Sequence, residues 1–236
     1  MLIKQKKKLS VRSKVLLTVL AVVFLIGSVA TLAYWRYVFP TGRIMPGLYT
    51  IRTHYNSMPM GNLFLLQIVD SNYYIAIDAG GDAAETETGL RRLGISANDV
   101  AAVFITHSHW DHIGALNLFE NAIIYTGSTE NIAFPDIPHH VMADGEIIEF
   151  SGMSVQCIYT PGHTIDHVCY LVNGKMLFAG DLFITTNDSP FEQRYDKDLQ
   201  LEYREMVLEP NDVKYVFTGH FGLFKNAGFF RWWFLD

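Results

Sequence analysis

The chain has 236 residues, half of them hydrophobic and 18% charged, with a formal net charge of −6. That is the composition of a globular protein, not of a disordered or collagen-like chain. The charge is unevenly placed: Lys4, Lys6, Lys7, Lys8, Arg12 and Lys14 crowd the first 14 residues without an acid, which leaves −12 for residues 15–236. A body that acidic, with no basic run, repels phosphodiesters, so no nucleic-acid partner is expected.

Val15–Trp35 follows the basic segment, 21 residues without a charge. That length spans a hydrocarbon core, and a helix packed on a globular domain would carry one polar face. Tyr34, Trp35, Arg36 and Tyr37 read as an interfacial belt. The positive flank predicts residues 1–14 as a cytoplasmic tail, 15–35 as a transmembrane signal anchor, 36–46 as a linker and 47–236 as one domain outside the cytoplasm. The competing reading is a signal peptide cleaved near Ser28 and Ala30, or Thr31 and Ala33, which leaves a secreted domain.

Within the domain, strands are predicted from about Gly47 to Ile77, with Asn62–Leu66 and Tyr74–Ile77 as a hairpin of core strands. A helix is predicted near Ala83–Leu93. Ala101–Ile105 is a short apolar run of buried-strand type. Immediately after it, residues 106–112 read Thr-His-Ser-His-Trp-Asp-His and place His107, His109, Asp111 and His112 within six positions. Imidazole and carboxylate suit zinc and similar metals. Such groups have little use in a packed core, where a carboxylate is costly unless paired or on a metal. A short helix follows, so His107 and His109 can point one way while Asp111 and His112, in its first turn, point another.

Three further strands each end in a small residue and one side chain of ligand type. His163 follows Met153–Tyr159 in Thr-Pro-Gly-His-Thr, Asp181 follows Met176–Phe178 in Ala-Gly-Asp, and His220 follows Val213–Phe217 in Thr-Gly-His. Between Asp181 and His220, residues 184–208 are largely polar; Leu199–Leu208 can form a helix with a solvated face, and Arg194, Tyr195 and Tyr203 are possible substrate contacts. His54, His139 and His140 read as surface-loop residues, and His167, four residues after His163, as a residue that could support a ligand. The two cysteines, Cys157 and Cys169, lie on strands either side of the His163 loop. Either they are buried free thiols, or, outside the cytoplasm, a disulfide facing across the strands. The aromatic tail from Gly228 to Leu235 closes the core or lies at a bilayer interface.

From about Gly47 to His220 this pattern resembles the metallo-β-lactamase superfamily, more closely its glyoxalase II-like and lactonase-like hydrolases. The resemblance implies an α/β, four-layer αββα sandwich with a site for two divalent metal ions at one edge. It implies that His107, His109 and His163 hold one ion, that Asp111, His112 and His220 hold the second, and that Asp181 bridges them. Asp181 stands where true β-lactamases often have Cys, which favours ester, thioester and lactone hydrolysis. Asp78, after the Tyr74–Ile77 strand, resembles an acid that supports the ligand loop. Phe221 departs from the small residue that often follows the last His. Only 16 residues follow His220, so the glyoxalase II enzyme itself, with its added helical domain, is not expected.

The predicted reaction is hydrolysis of an ester, thioester, lactone or amide of a small molecule by a metal-bridging hydroxide, with Asp111 also carrying a proton. The ions are expected to be Zn2+, with iron or manganese as alternatives. The competing functions are an iron-dependent redox or sulfur-transfer enzyme on the same fold, and a non-enzymatic metal-binding scaffold. The sequence sets no oligomeric state.

Overall fold

Met153–Tyr159 alternates buried and half-buried residues through most of its length, as a strand with one face on a core must. The same alternation builds two sheets in the computed structural model, which describes residue 14 and residues 17–28, 41–55, 58–127, 137–183, 196–208, 212–220 and 223–225. The first sheet has seven strands in chain order: β1 (Gly42–Met45), β2 (Leu48–Tyr55), β3 (Met58–Gln67), β4 (Tyr74–Ile77), β5 (Val100–Ile105), β6 (Ile123–Thr126) and β7 (His139–Val141). The second has six: β8 (Ile147–Phe150), β9 (Met153–Tyr159), β10 (Val168–Val172), β11 (Met176–Phe178), β12 (Tyr215–Phe217) and β13 (Leu223–Lys225), side by side from β13 down to β8.

The sheets share one apolar layer. Leu48, Phe64, Leu66, Ile75 and Phe104 of the first pack with Val155, Tyr170, Phe178 and Phe217 of the second. Phe178 and Phe217 stack at 4.7 Å, and Phe64 meets both edge-on at 5.3 and 5.6 Å. Each such pair adds about 0.5–1.5 kcal/mol beyond its area, and this trio forms a floor beneath the loops that follow β11 and β12. Tyr170 ties the sheets together by donating from its hydroxyl to the Ile105 carbonyl at 2.9 Å.

The other face of the first sheet is covered by α1 (Ala83–Leu93), whose Leu90 joins Ile51, Leu63, Leu65, Ala76 and Val103. Local chemistry sets its ends. The Asp82 carboxylate accepts from the Glu85 N–H at 2.8 Å, and Arg91 and Arg92 occupy the last turn. Gly94, at φ 72°, closes the helix by donating to the Leu90 and Arg91 carbonyls. Two further helices follow, α2 (Trp110–Ile113) and α3 (Lys197–Leu208).

Strand direction gathers the ligand loops. β4 and β5 are parallel, as are β11 and β12, and β9 runs with β11 because both are antiparallel to β10. The C-terminal ends of β4 and β5 therefore lie at one edge of their sheet, and those of β9, β11 and β12 at one edge of theirs.

Two sequence expectations change. Gly42–Met45, assigned to the linker 36–46, is a strand: it pairs antiparallel with β2 through a Pro46–Gly47 turn, so the folded unit starts before residue 47. His139 and His140 lie in β7, not in a loop, although His140 is exposed. Of the two readings of the cysteines, the structure shows the buried free thiols. Cys157 opposes Tyr170 and lies in the layer between the sheets, whereas Cys169 opposes Ile158 on the other face, and both are free.

Residues 1–37 form a unit of their own. Within it residues 17–28 are helical, with Leu17, Leu20, Phe24, Leu25 and Ile26 each more than half exposed. Among the described residues no helix is long and apolar enough to cross a membrane. Residues 15, 16 and 29–35 of the predicted span, the interfacial belt, Arg194, Tyr195, Phe221 and the aromatic tail lie outside the described residues.

Burial pushes both thiols up to about 12. At pH 8 the thiolate fraction is then on the order of one in 10⁴, and a thiol reagent is expected to leave the native protein unlabelled and to label both cysteines once it is denatured. Mass spectrometry of alkylated protein checks this; a label or a disulfide in the native state contradicts it.

Candidate metal centre

The ligand-type side chains of the two sheets meet at this edge in two groups. His107, His109, His163 and Asp181 form one, and Asp111, His112 and His220 the other; within each, one donor atom per residue lies within 4.8 Å of every other. All seven residues singled out in the sequence are brought together, and all but His109 and His220 are buried. The split follows from the loop. His109 sits in extended conformation at the start of α2, so it stays with His107, while Asp111 and His112 turn away on the helix.

In the first group His107 Nε2 and His109 Nδ1 are 3.0 Å apart, and His163 Nε2 and His109 Nδ1 are 3.1 Å apart. In the second, His220 Nε2 is 3.1 Å from Asp111 Oδ2. Asp181 reaches both. Its Oδ2 lies 3.4 Å from His163 Nε2 and 3.4 Å from His220 Nε2, and its Oδ1 lies 3.4 Å from His112 Nε2. Although they are neighbours, His112 Nε2 and Asp181 Oδ1 are both buried and neither makes a hydrogen bond. Buried polar atoms are rarely left so.

These features fit a cation. Three imidazole nitrogens that converge pairwise cannot all be served by ring protons, whereas tetrahedral Zn–N bonds of about 2.0–2.1 Å set ligand nitrogens roughly 3.3 Å apart. Gly219 preserves the space: a Cβ there would come within 2.3 Å of Asp181 Oδ1 and 2.8 Å of His112 Cε1.

Electrostatics set the protonation of the groups. Burial, with His112 nearby, holds His107 well below the usual imidazole range, and burial brings His163 down to about 4, so both are neutral and able to ligate. Burial alone would raise Asp181, but His220 and His112 outweigh it and hold the carboxyl well below its ordinary value. The same attraction works on the partners. Against the effect of burial, Asp181 and Asp78 raise His112, and Asp181 with Asp111 brings His220 up to about 9.

Behind these groups lies a set of fixed supports. Asp78, buried and at φ 59°, accepts from the Thr106 N–H and hydroxyl through Oδ1, at 2.8 and 3.0 Å, and pairs with His112 Nδ1 through Oδ2 at 2.8 Å. The bond at Nδ1 turns Nε2 of His112 toward the site. Asp166 accepts from the Ser108 N–H at 2.8 Å. His167 Nε2 accepts from the Asp181 N–H at 3.2 Å, and Gln200 of α3 donates to the Asp181 carbonyl at 3.2 Å. Arg204 of α3 donates to the Leu182 carbonyl at 2.6 Å. The inner face of α3 is thus buried and polar, not solvated: Gln200 and Arg204 are 0% and 2% exposed. Asp166, Gln200 and Arg204 carried no sequence signal, since each acts on a backbone group distant in the chain. Of the remaining histidines, His54 pairs with Glu85 and His140 with Glu146, both on the surface.

Among known proteins, the sequence profile of the metallo-beta-lactamase superfamily matches residues 59–220. The chain belongs to this superfamily. A hydroxyacylglutathione hydrolase of Rhizobium etli is 32% identical over 164 residues, 68% of this chain and 62% of the relative. One of Thiobacillus denitrificans is 38% identical over 116 residues, 48% of this chain and 43% of the relative. The chain therefore spans about three fifths or less of these relatives' lengths. The crystal structure of a metallo-beta-lactamase family protein of Thermus thermophilus superposes with a TM-score of 0.62 at 21% identity, covering 78% of this chain and 76% of that one. Together these comparisons show the mixed α/β metallo-beta-lactamase fold with two sheets.

Asp78→Ala removes the acceptor shared by Thr106 and His112. It is expected to cost about 3 kcal/mol in denaturant unfolding and to weaken metal uptake about 10–100-fold. Unchanged stability and unchanged metal titration would show that Asp78 supports nothing.

Proposed function

We propose that the chain is a two-metal hydrolase that cleaves a small-molecule ester, thioester, lactone or amide, with an acyl thioester first among these. The observation that carries the reading is Asp181, whose two oxygens face the two ligand groups at 3.4 Å. The thioester is favoured because hydroxyacylglutathione, named in several relatives, is an acyl thioester by its chemistry. On this reading His107, His109 and His163 hold one divalent ion, Asp111, His112 and His220 the other, and Asp181 touches both; α3 forms the layer outside the second sheet. Zinc suits the donor set of five imidazoles and two carboxylates.

When bound, the ions supply Lewis acidity and bring the pKa of water down to about 7. The chain's own side chains do the rest. Neutral His107 and His163 keep their nitrogens available. Asp181, ionised and fixed through its N–H by His167 and through its carbonyl by Gln200, sets the separation of the groups. Asp111 is raised by burial but lowered more by His112 and His220, so its carboxylate is ionised and can take a proton from water and return it to the leaving group.

Elemental analysis of the protein purified without added metal tests the reading. About two zinc ions per chain are expected. Asp181→Ala is expected to lose bound metal and to lower thioester turnover by at least the 10²–10³-fold typical of a lost electrostatic stabiliser. Iron with redox activity would replace the hydrolase by the oxidoreductase alternative, and metal without turnover on any carbonyl substrate would leave a scaffold.

The reading includes the N-terminal segment as a membrane anchor that holds the domain outside the cytoplasm. It is supported by six basic residues before a 21-residue uncharged run and by the exposed apolar side chains of residues 17–28. The full chain is expected to stay with membranes through alkaline carbonate extraction, with the domain open to protease from the extracytoplasmic side. Release by carbonate, or recovery of the chain cut after residues 28–33, would rule the anchor out.

A further inference from the structure

The layer between the sheets changes character at its last step. Along β2, Leu48, Thr50 and Arg52 point into it, and along β3 the facing residues are Leu66, Phe64 and Asn62, in register as Leu48↔Leu66, Thr50↔Phe64 and Arg52↔Asn62. Two layers that hold apolar side chains thus give way to an Arg–Asn pair, 7% and 0% exposed, on the side of the metal centre. The β2–β3 register shifts between Arg52 and His54, a bulge of the kind that re-aims a side chain.

This pair meets the last ligand loop. Arg52 Nη2 donates to the His220 carbonyl at 3.0 Å, the Asn62 N–H to the Gly219 carbonyl at 2.7 Å, and Asn62 Nδ2 to the Thr218 carbonyl at 3.4 Å. Three consecutive carbonyls of the second sheet's loop are therefore held by two opposed residues of the first sheet. Gly219 is tied within its own sheet as well, its N–H donating to the Gly180 carbonyl at 2.7 Å, but the His220 carbonyl is held by Arg52. Among the described residues the His220 ring touches only members of the site, Asp111, His112 and Asp181. By contrast, His107 is fixed through Thr106, and His112 through Asp78.

We infer that Arg52 and Asn62 are positioning residues that clamp the His220 loop to the first sheet and so set the affinity of the Asp111–His112–His220 half of the centre, without governing the His107–His109–His163 half. The inference rests on the two-metal reading above. A stabilising role alone would lower the unfolding free energy and leave the two affinities in their original ratio. Positioning separates them.

The test is a zinc titration of the full chain with competing chelators, resolving two dissociation constants, on the wild type and on Arg52→Met, Arg52→Lys and Asn62→Ala, with circular dichroism to establish folding. Arg52→Met is expected to weaken the second zinc about 10–100-fold, as loss of an outer partner does, and to leave the first unchanged. Arg52→Lys keeps a donor and is expected to recover part of that loss. Asn62→Ala, which retains the backbone bond to Gly219, is expected to weaken the second zinc less than Arg52→Met does. Should Arg52→Met fail to fold, Asn62→Ala decides. Two zinc ions bound with wild-type affinities by the folded variants would overturn the clamp alone. A wild type that binds fewer than two would overturn the two-metal reading and the clamp with it.

Discussion

Two carboxylates and five imidazoles share a few ångströms at the edge of a packed core, and most of this protein's architecture serves that crowding. A buried carboxylate loses several kcal/mol of hydration unless partners replace it. Asp181 is 4% exposed, and its partners are histidines that reach it from both sheets. The attraction is mutual: the carboxylates hold protons on His112 and His220, while burial strips them from His107 and His163. A cation can take the place of those protons and satisfy nitrogens and oxygens that the protein alone leaves without partners.

Such a cluster needs walls that do not relax. Phe178 and Phe217, stacked on each other and met edge-on by Phe64, end the strands from which the loops carrying Asp181 and His220 start. Hydrogen bonds then fix the loops one by one: Asp78 and Asp166 hold the first ligand loop, His167 and Gln200 hold Asp181, and Arg52 with Asn62 holds the last. Nearly all of these supports are themselves buried, where a hydrogen bond is costly to break. The centre is thus preorganised by residues that do not belong to it.

Much of this was legible in the sequence because short-range patterns wrote it. Met153–Tyr159 and Met176–Phe178 are strands with the predicted bounds, and α1 spans the predicted Ala83–Leu93. Each carries its own periodicity and end signals. The seven ligand-type residues stood out because histidine and aspartate after an apolar strand and a glycine are chemically conspicuous. Other features were hidden. Gly42–Met45 has too few residues to show a period, and only its pairing with β2 makes it a strand. The cysteines stayed open between buried thiols and a disulfide, because a strand's period of two sends residues on adjacent strands to the same face only when their register agrees, and register is a tertiary quantity. α3 looked like a solvated helix, since Gln200 and Arg204 are polar, yet both are buried on backbone carbonyls.

By itself, then, the sequence determined several of the core strands, the helix over Ala83–Leu93 and the identity of the donor groups, because periodicity and ligand chemistry are local. Only the tertiary structure decided that Cys157 and Cys169 take opposite faces of their sheet, and that Arg52 and Asn62 on one sheet hold the carbonyls of residues 218–220 on the other. Those facts depend on the direction and register of strands distant in the chain, which are settled when two sheets bury their shared face and their ends are forced to meet.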